Sequence, residues 1–376
     1  MSTVTMRRDG RRRVKLAATL LTVGALALSA CSNGADDDAD TGTDTGTEAD
    51  AGTDGTEEET DADEPEELTP ITVVTFLPLQ SFTFAPEMMA YSGGYFEEHG
   101  LDVTLEAVQG TPAAIQAVIG GAAFITRAST IDLMPPWEDG QEIVGVGTMA
   151  RQTNLRIASA DTNPIEAAED LEGETLGMGS VGGTSERTLD LALREFGVDG
   201  DTVERQAVPV TAATFELVRR GELAGYIVSL DTALTLEIQN EDAVISTAGL
   251  DSIPDLQLFF TTPENVENEP ETIEKFLAAM ADATQFMVDD EANNYDETLR
   301  ILRDSGDWDF PALFDDEASR AALTIYTTET WMDDSGVPLL HIDPELFESA
   351  YDVLTDGGLV EGTGNPQDWI TTEFAP

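Results

Sequence analysis

A glycine-rich stretch of the sequence combines free backbone groups with hydroxyl side chains. It reads GSVGGTS over residues 179–185 and precedes a helical pattern. A turn of this kind at the start of a helix presents backbone N–H groups at the positive end of the helix dipole, where anions bind. Ser180, Gly183, Thr184 and Ser185 are therefore candidate ligand-binding residues, and a plain capped helix start is the alternative.

Arg127 is a second candidate because it follows an apolar, strand-like segment in a region with few basic residues. The planar guanidinium group can bind a carboxylate, sulfonate or phosphate through two parallel hydrogen bonds. Arg127 could therefore hold an anionic ligand, or it could be a surface arginine that pairs with a nearby acid. Ser129 and Thr130 follow it closely and could contact the ligand or cap the next helix.

Polar and aromatic side chains follow other strand-like segments as well. The rings in the segment QSFTF, residues 80–84, could cover an aromatic or aliphatic ligand, or they could pack beneath their own loop. Asp231 could face an amine or cap a helix. The candidates in this group are Gln80, Phe82, Thr83, Phe84, Gln109, Ser229 and Asp231.

The sequence has no pattern typical of a catalytic or metal site. After residue 68 it contains one lysine, Lys275, two histidines, His99 and His341, and no cysteine. The serine-nucleophile motif G-x-S-x-G, the zinc motif H-E-x-x-H and the phosphate loop do not occur. We therefore expect a binding protein rather than an enzyme, with no catalytic residue, cofactor or metal.

Strand-like and helical patterns alternate along the chain and would position these candidates. Residues 71–79 have the pattern of a buried strand, and residues 85–100 that of a helix closed by glycine. A helix that begins at residue 129 is predicted to stop at Pro135 and Pro136. The alternation predicts an α/β fold with mixed or parallel sheets flanked by helices, in which ligands bind at the carboxyl ends of strands.

The alternation occurs twice and is followed by a largely helical region, which predicts two lobes. Lobe 1 would combine residues 69–152 and 262–376, and lobe 2 would span residues 153–261. Within the helical region, residues 270–290 have the pattern of an amphipathic helix. Its predicted buried face consists of Ile273, Phe276, Leu277, Met280, Ala283 and Met287.

The N-terminal region has the pattern of an export signal. Six basic residues precede an apolar run of 15 residues, 16–30, which ends in Leu-Ser-Ala before Cys31. This ending resembles the lipobox of bacterial lipoproteins, L-x-[AG]-C, which implies a signal peptide over residues 1–30 and lipidation of Cys31. Residues 31–68 are mostly Asp, Glu, Thr, Gly and Ala, which predicts a disordered acidic tether.

We therefore expect an extracytoplasmic protein that is anchored to the cell membrane by its lipidated cysteine. The pattern leaves open whether export uses the general secretory route or the twin-arginine route. The folded region has no other cysteine, so it contains no disulfide framework.

The chain is strongly acidic, with a formal net charge of −56 over 376 residues. The signal contributes about +5 and the tether about −16, so residues 69–376 carry about −45. Such a field excludes nucleic acid as a partner. It is consistent with a surface adapted to high salt, where counter-ions screen the repulsion between like charges.

Four stretches resemble a known family of receptors. They are YSGGYFEEHGLDVTLEAVQG from residue 91, DLEGETLGMGSVGGTSERTLDLALREFGVD from residue 170, ELVRRGELAGYIVS from residue 216 and ENVENEPETIEKFLAAMADA from residue 264. In order and spacing they are similar to type II periplasmic solute-binding proteins of ABC importers. The group in question serves nitrate, sulfonates, taurine and thiamine-pyrimidine precursors. The sequence departs from the family pattern at residues 120–124 and 221–226 and at Glu174.

The resemblance implies a two-lobe fold whose cleft closes on a small solute. It also implies an ABC permease as the protein partner, and we expect a monomer. The ligand class stays open between a sulfonate or taurine-like anion, a carboxylate and a pyrimidine-type ring. A lipid-anchored scaffold or adhesion protein is the alternative function, and an enzyme similar to the thiamine-pyrimidine synthases of this fold is a second alternative.

Overall fold

The computed structural model describes residues 5–6, 67–179, 181–332 and 336–376. Most of the predicted signal peptide and tether, the predicted lipidation site Cys31 and the predicted ligand-binding residue Ser180 lie outside these described residues. Within the described ranges, no helix is both long enough and apolar enough to span a membrane.

Six strands form a first, mixed sheet. Numbered in chain order, they are β1 (Thr5–Met6), β2 (Thr69–Thr75), β3 (Leu101–Ala107), β4 (Ile125–Ser129), β5 (Val144–Ala150) and β11 (Gln257–Thr261). Their order across the sheet is β1-β3-β2-β4-β11-β5. β2 runs parallel to β3 and β4, whereas β11 runs antiparallel to both β4 and β5.

Five further strands form a second, mixed sheet. They are β6 (Leu155–Ala160), β7 (Thr175–Met178), β8 (Glu204–Ala207), β9 (Gly225–Ser229) and β10 (Ala243–Ser246). Their order is β10-β6-β9-β7-β8, in which β7 is parallel to β8 and β9 and β6 is antiparallel to β9 and β10. The parallel pairs are joined by helical crossovers, as the alternating pattern predicted, and the α/β fold is confirmed.

Helices cover both sheets. They are α1 (Ala85–Gly93), α2 (Tyr95–Glu98), α3 (Thr111–Ile119), α4 (Thr130–Glu138), α5 (Thr184–Glu195), α6 (Phe215–Arg219), α7 (Leu230–Gln239), α8 (Pro263–Asn268), α9 (Pro270–Asp289), α10 (Asp296–Ser305), α11 (Pro311–Phe314), α12 (Asp316–Ile325) and α13 (Pro344–Asp356). The apolar stripe of α9 is fully buried, which confirms the amphipathic helix predicted there.

Two helices differ from the prediction. The single helix expected over residues 85–100 is divided into α1 and α2, because Gly94 has φ of 88° and left-handed backbone cannot continue an α-helix. The prediction that Pro135 and Pro136 stop the next helix is wrong, since α4 runs through both. Proline at position 135 cannot donate to the carbonyl of Ile131, and Arg187 Nη1 donates to that oxygen instead, at 3.5 Å.

The two sheets share part of the hydrophobic core. One cluster of buried side chains includes Val74 and Leu258 from the first sheet and Leu176 and Ile227 from the second. The predicted lobe boundaries stay a prediction. β11 lies within the range predicted for lobe 2, yet it pairs into the first sheet.

Candidate functional site

A cleft of about 940 Å³ lies where strands from both sheets end. Its wall includes Phe76 directly after β2, Ser129 at the end of β4, Gly179 directly after β7 and Ser229 at the end of β9. This arrangement follows the general rule that α/β proteins bind ligands beyond the carboxyl ends of parallel strands. The volume is in the range of cavities that enclose small organic molecules.

Most of the candidate residues predicted from the sequence line this cleft. They are Gln80, Thr83, Phe84, Gln109, Ser129, Gly183, Thr184, Ser185, Ser229 and Asp231. Three other candidates, Phe82, Arg127 and Thr130, are buried and do not belong to the described lining. Whether any of these residues contacts a ligand stays a prediction.

Arg127 lies behind the cleft wall rather than in it. Its Nε donates to Glu87 Oε1 at 2.5 Å, its Nη1 donates to Gln257 Oε1, and its Nη2 donates to the carbonyl of Thr83. The guanidinium carbon also lies 5.0 Å from the centre of the Phe84 ring. Arg127 therefore supports Thr83, Phe84 and Gln257, which do line the cleft.

The other two buried candidates also have structural contacts. The Phe82 ring packs edge-on against Phe310, with ring centres 5.1 Å apart. Thr130 forms two hydrogen bonds with Leu256: its backbone N–H donates to the Leu256 carbonyl, and its hydroxyl accepts from the Leu256 N–H. Both residues thus hold the segments that carry the cleft wall.

The carboxylate of Asp132 links three helices at the cleft, α3, α4 and α5. Asp132, in the first turn of α4, accepts from Thr111 at 2.8 Å and from Thr184 at 2.5 Å. Arg187 Nη1 in α5 donates to its other oxygen at 3.0 Å. These contacts link residues from the ranges predicted for lobe 1 and lobe 2.

Two further carboxylates in the wall are almost completely buried. Asp231, in α7, accepts from the Ser81 hydroxyl at 2.7 Å, and Asp255 accepts from the Ser129 hydroxyl at 2.5 Å. Burial raises the pKa of Asp231 although hydrogen bonds to its carboxylate oppose the rise. Burial also raises the pKa of Asp255 to about 6; the Asp132 charge adds to the rise, whereas the Ser129 hydrogen bond and the Arg127 charge oppose it.

The glycine-rich turn already has a carboxylate of its own. α5 begins at Thr184, and Gly183 occupies its N-cap position. The backbone N–H of Gly182 donates to Glu186 in the first turn of α5. The Glu186 carboxylate thus occupies the Gly182 N–H, one of the backbone groups of the turn that the sequence predicted would bind an anionic ligand.

A buried network of one amide and two hydroxyl groups holds another part of the wall. Asn154 Nδ2 donates to Thr83 Oγ1 at 2.6 Å and to the Tyr326 hydroxyl at 3.0 Å. The Thr83 and Tyr326 hydroxyls lie 2.9 Å apart and also bond to each other. This network fixes the rotamers of Thr83 and Asn154 at the cleft surface.

Several polar residues of the wall were not predicted from the sequence. They are Asp132, Asn154, Arg187 and Asp255. Asp132 and Arg187 carry a weak signal, since each lies within one turn after a candidate segment, but Asp255 has no local pattern that marks it. In the described part of the chain, no group of three or more His, Cys, Asp or Glu side chains is arranged to hold a metal ion.

Residues 81–293 match the sequence family described as NMT1/THI5 like, which covers more than half of the chain. No curated protein matches the sequence. The family match agrees with the receptor group that the four sequence stretches resemble.

Solved structures with the same fold cover about four fifths of the chain. The alkanesulfonate-binding protein SsuA from Xanthomonas axonopodis pv. citri, bound to MOPS, has a TM-score of 0.62 at 10% identity and covers 81% of this chain and 99% of its own. The periplasmic nitrate-binding protein NrtA from Synechocystis PCC 6803 has a TM-score of 0.58 at 15% identity, with 82% and 87% covered. The desulfurization enzyme DSZB has a TM-score of 0.50 at 14% identity, with 81% and 97% covered. At these identities the similarity defines the fold, which is that of periplasmic binding proteins.

Proposed function

Because the chain belongs to the NMT1/THI5-like family and has the periplasmic binding protein fold, we propose that it is the solute-binding component of an ABC importer. It captures a small organic solute in the cleft and delivers it to the permease. The observation that carries this proposal is the cleft itself, about 940 Å³ in volume, with walls from the strand ends of both sheets.

Capture by closure of two lobes is part of the proposal. The hydrogen bonds of Asp132 to Thr184 and Arg187, and of Ser81 to Asp231, join residues from the two predicted lobes. Opening the cleft would break these contacts, and a bound solute would favour the state in which they form. The permease would then distinguish the loaded receptor by its closed shape.

The proposed location follows from the same function. A receptor for an importer works outside the cytoplasmic membrane, and the lipobox-like sequence at Cys31 would attach it there as a lipoprotein. The acidic residues 31–68 would act as a tether between the lipid and the folded body. We propose a monomer, because a single chain supplies both walls of the cleft.

A binding role is favoured over catalysis by the chemistry of the wall. None of the described lining residues is Cys, His or Lys, so the thiol, imidazole and amine groups that many enzymes use as nucleophile or base do not occur among them. The buried acids Asp231 and Asp255 are each bonded to a serine hydroxyl, but the described lining supplies no histidine or lysine as a third member of such a pair. The cleft is therefore better suited to hold a solute than to transform it.

A solute screen with two readouts tests the proposal. The detergent-solubilised full chain is mixed with taurine, alkyl and aryl sulfonates, nitrate, hydroxymethylpyrimidine, carboxylates and amines. A true ligand raises the melting temperature, by an amount that grows with concentration above its Kd. The same ligand should reduce the radius of gyration measured by small-angle X-ray scattering. Ligands that leave both quantities unchanged across the whole panel would favour the scaffold alternative.

A further inference from the structure

The lining of the cleft contains more acidic than basic residues, which favours a cationic solute over an oxyanion. On the basis of the proposed solute-binding function, we propose that the solute of this cleft is an organic cation that carries an amine, amidine or guanidine group. Asp255 accepts hydrogen bonds from that group, and Asp231 is a second carboxylate in the same wall.

The charged residues of the lining are almost all acidic. The described lining contains four acids, Asp132, Asp231, Asp255 and Asp309, and one base, Arg187. Arg187 is paired with Asp132 at 3.0 Å, so the two charges offset each other. An anionic solute would enter a wall with uncompensated negative charge, whereas a cation would be attracted to it.

Two of the groups that could have bound an anion are engaged with acids of the chain itself. Arg127 lies behind the wall, where its guanidinium is paired with Glu87 at 2.5 Å. The Gly182 N–H of the glycine-rich turn donates to Glu186, and Arg205 lies 3.5 Å from the same carboxylate. An oxyanion would have to displace a protein carboxylate from either position.

Asp255 has acceptor capacity that the described protein does not use. Its exposed fraction is 2%, and within the described part of the chain its hydrogen-bond donor is the Ser129 hydroxyl on Oδ1. An ionised carboxylate can accept about four hydrogen bonds, and its burial is costly when they are not made. A cationic N–H group in the cleft would supply both the missing donors and the opposite charge.

Asp231 differs from Asp255 in its surroundings. Its carboxylate accepts from Ser81 at 2.7 Å, and the Ser229 hydroxyl and the Phe82 backbone also stabilise its charged form. Its bonding capacity is thus largely used inside the protein. We therefore expect Asp255 to make the direct contact with the cation and Asp231 to contribute less to its binding.

Apolar residues define the rest of the solute. Phe76 and Phe84 lie with ring centres 5.3 Å apart on the cleft wall, and Phe310 lines it as well. Leu77 and Val181 also belong to the wall and are 47% and 56% exposed. Such surfaces favour a solute whose cationic group is attached to a carbon chain or ring.

Matched probes with one carbon skeleton test the charge preference. Calorimetry on the full chain compares 4-phenylbutylamine, 4-phenylbutanol and 4-phenylbutyrate, with agmatine, taurine and nitrate as further probes. The amine should bind at least about tenfold more tightly than the alcohol, the order expected for one buried charge pair, and the carboxylate should bind least. Tighter binding of the carboxylate, taurine or nitrate would overturn the inference while it upheld the solute-binding function. A lack of binding by every probe would count against that function, and against the inference with it.

Isosteric variants identify the residue that receives the cation. Asp255→Asn should weaken amine binding at least about tenfold and leave alcohol binding unchanged, and Asp231→Asn should have a smaller effect of the same kind. Asp251→Asn is the matched control, because it removes the same charge from an exposed position outside the lining. If Asp255→Asn does not change the affinity for the amine, Asp255 does not belong to the site. If a variant does not fold, as judged by circular dichroism, the probe series on the wild-type protein still decides the charge preference.

Discussion

At the scale of single residues, Asp255 combines burial with charge, and these properties oppose each other. Burial raises its pKa to about 6 from an ordinary value of 3.8, which applies in the unfolded chain. The native state therefore keeps this proton to higher pH than the unfolded state does. Between these two values the stability falls as the pH rises, and above about pH 6 the cost of the charged form is present in full.

We predict that Asp255→Asn stabilises the unliganded protein at pH 7.5 but has almost no effect at pH 4. The amide still accepts from Ser129 and carries no charge, so at pH 7.5 it removes a cost of about 3 kcal/mol at most. Near pH 4 the native wild-type protein is already protonated at this position, so little remains to be gained. Urea unfolding of both proteins at the two pH values measures the difference.

Asp251→Asn serves as the control, because Asp251 is exposed and its substitution should not change the free energy of unfolding at either pH. An equal gain from Asp255→Asn at both pH values would mean that charge burial is not its cause. A loss of stability at pH 7.5 would contradict the prediction that burying this charge is costly. The combination of higher stability with weaker amine binding is what a functional charge in a buried wall should give.

The sequence predicts which residues lie near this site better than it predicts their hydrogen-bond partners. Strand ends are a topological feature, and for this reason residues such as Thr83, Ser129 and Thr184 could be assigned to one cleft before their contacts were known. The partners of Arg127 could not be assigned, since Glu87 and Gln257 are 40 and 130 residues away along the chain. Whether an arginine faces a ligand or an internal acid depends on such distant contacts.

At the scale of elements, β7 packs so closely that one of its residues has no room for a side chain. A Cβ atom on Gly177 would lie 2.8 Å from Tyr226 Cβ and 2.8 Å from Val208 Cγ2, both of which belong to the packed interior of the second sheet. Real Cβ atoms do not approach carbon this closely, so the strand or its neighbours would have to move. β7 leads directly into the glycine-rich turn at the cleft.

We predict that Gly177→Ala lowers the free energy of unfolding by roughly 1–3 kcal/mol through overpacking. It should also weaken solute binding, since a displaced β7 moves the glycine-rich turn. The midpoint of urea unfolding measures the first effect, and calorimetry measures the second. Gly200→Ala is the control, because its nearest neighbour would be 3.5 Å from the added Cβ, an ordinary contact distance. If Gly177→Ala unfolds at the same urea concentration as the wild-type protein, the sheet accommodates the added Cβ without a loss of stability.

Periodicity predicts the type of an element more reliably than it predicts where the element is interrupted. The period of α9 was visible because six apolar residues repeat on one face, and all six are buried. The break at Gly94 and the continuation through Pro135 and Pro136 depend on backbone angles and on a donor from another helix, Arg187. Neither is a property of the local sequence.

At the scale of the whole molecule, the charge of the chain is the dominant feature. Residues 69–376 carry about −45, and their 12 basic residues are greatly outnumbered by acids. Several of these bases lie in ion pairs, for example Arg219 with Glu216 and Asp242 and Arg300 with Glu297. Most acids therefore repel one another across the surface, and this repulsion is larger in the compact state than in the expanded one.

This repulsion predicts that the folded state gains stability from salt over a particular range. The screening length falls from about 30 Å at 0.01 M to about 8 Å at 0.15 M, so most of the gain should appear below about 0.3 M sodium chloride. Thermal melts between 0.01 and 2 M measure it, and an equal molar series of sucrose separates screening from the general effect of excluded cosolutes. A melting temperature that is flat below 0.3 M would show that the surface acids are too far apart to matter, and adaptation to high salt would then be rejected. A rise over that range would also bear on the cleft, because the wall acids belong to the same field: amine binding should weaken over the salt range in which stability increases.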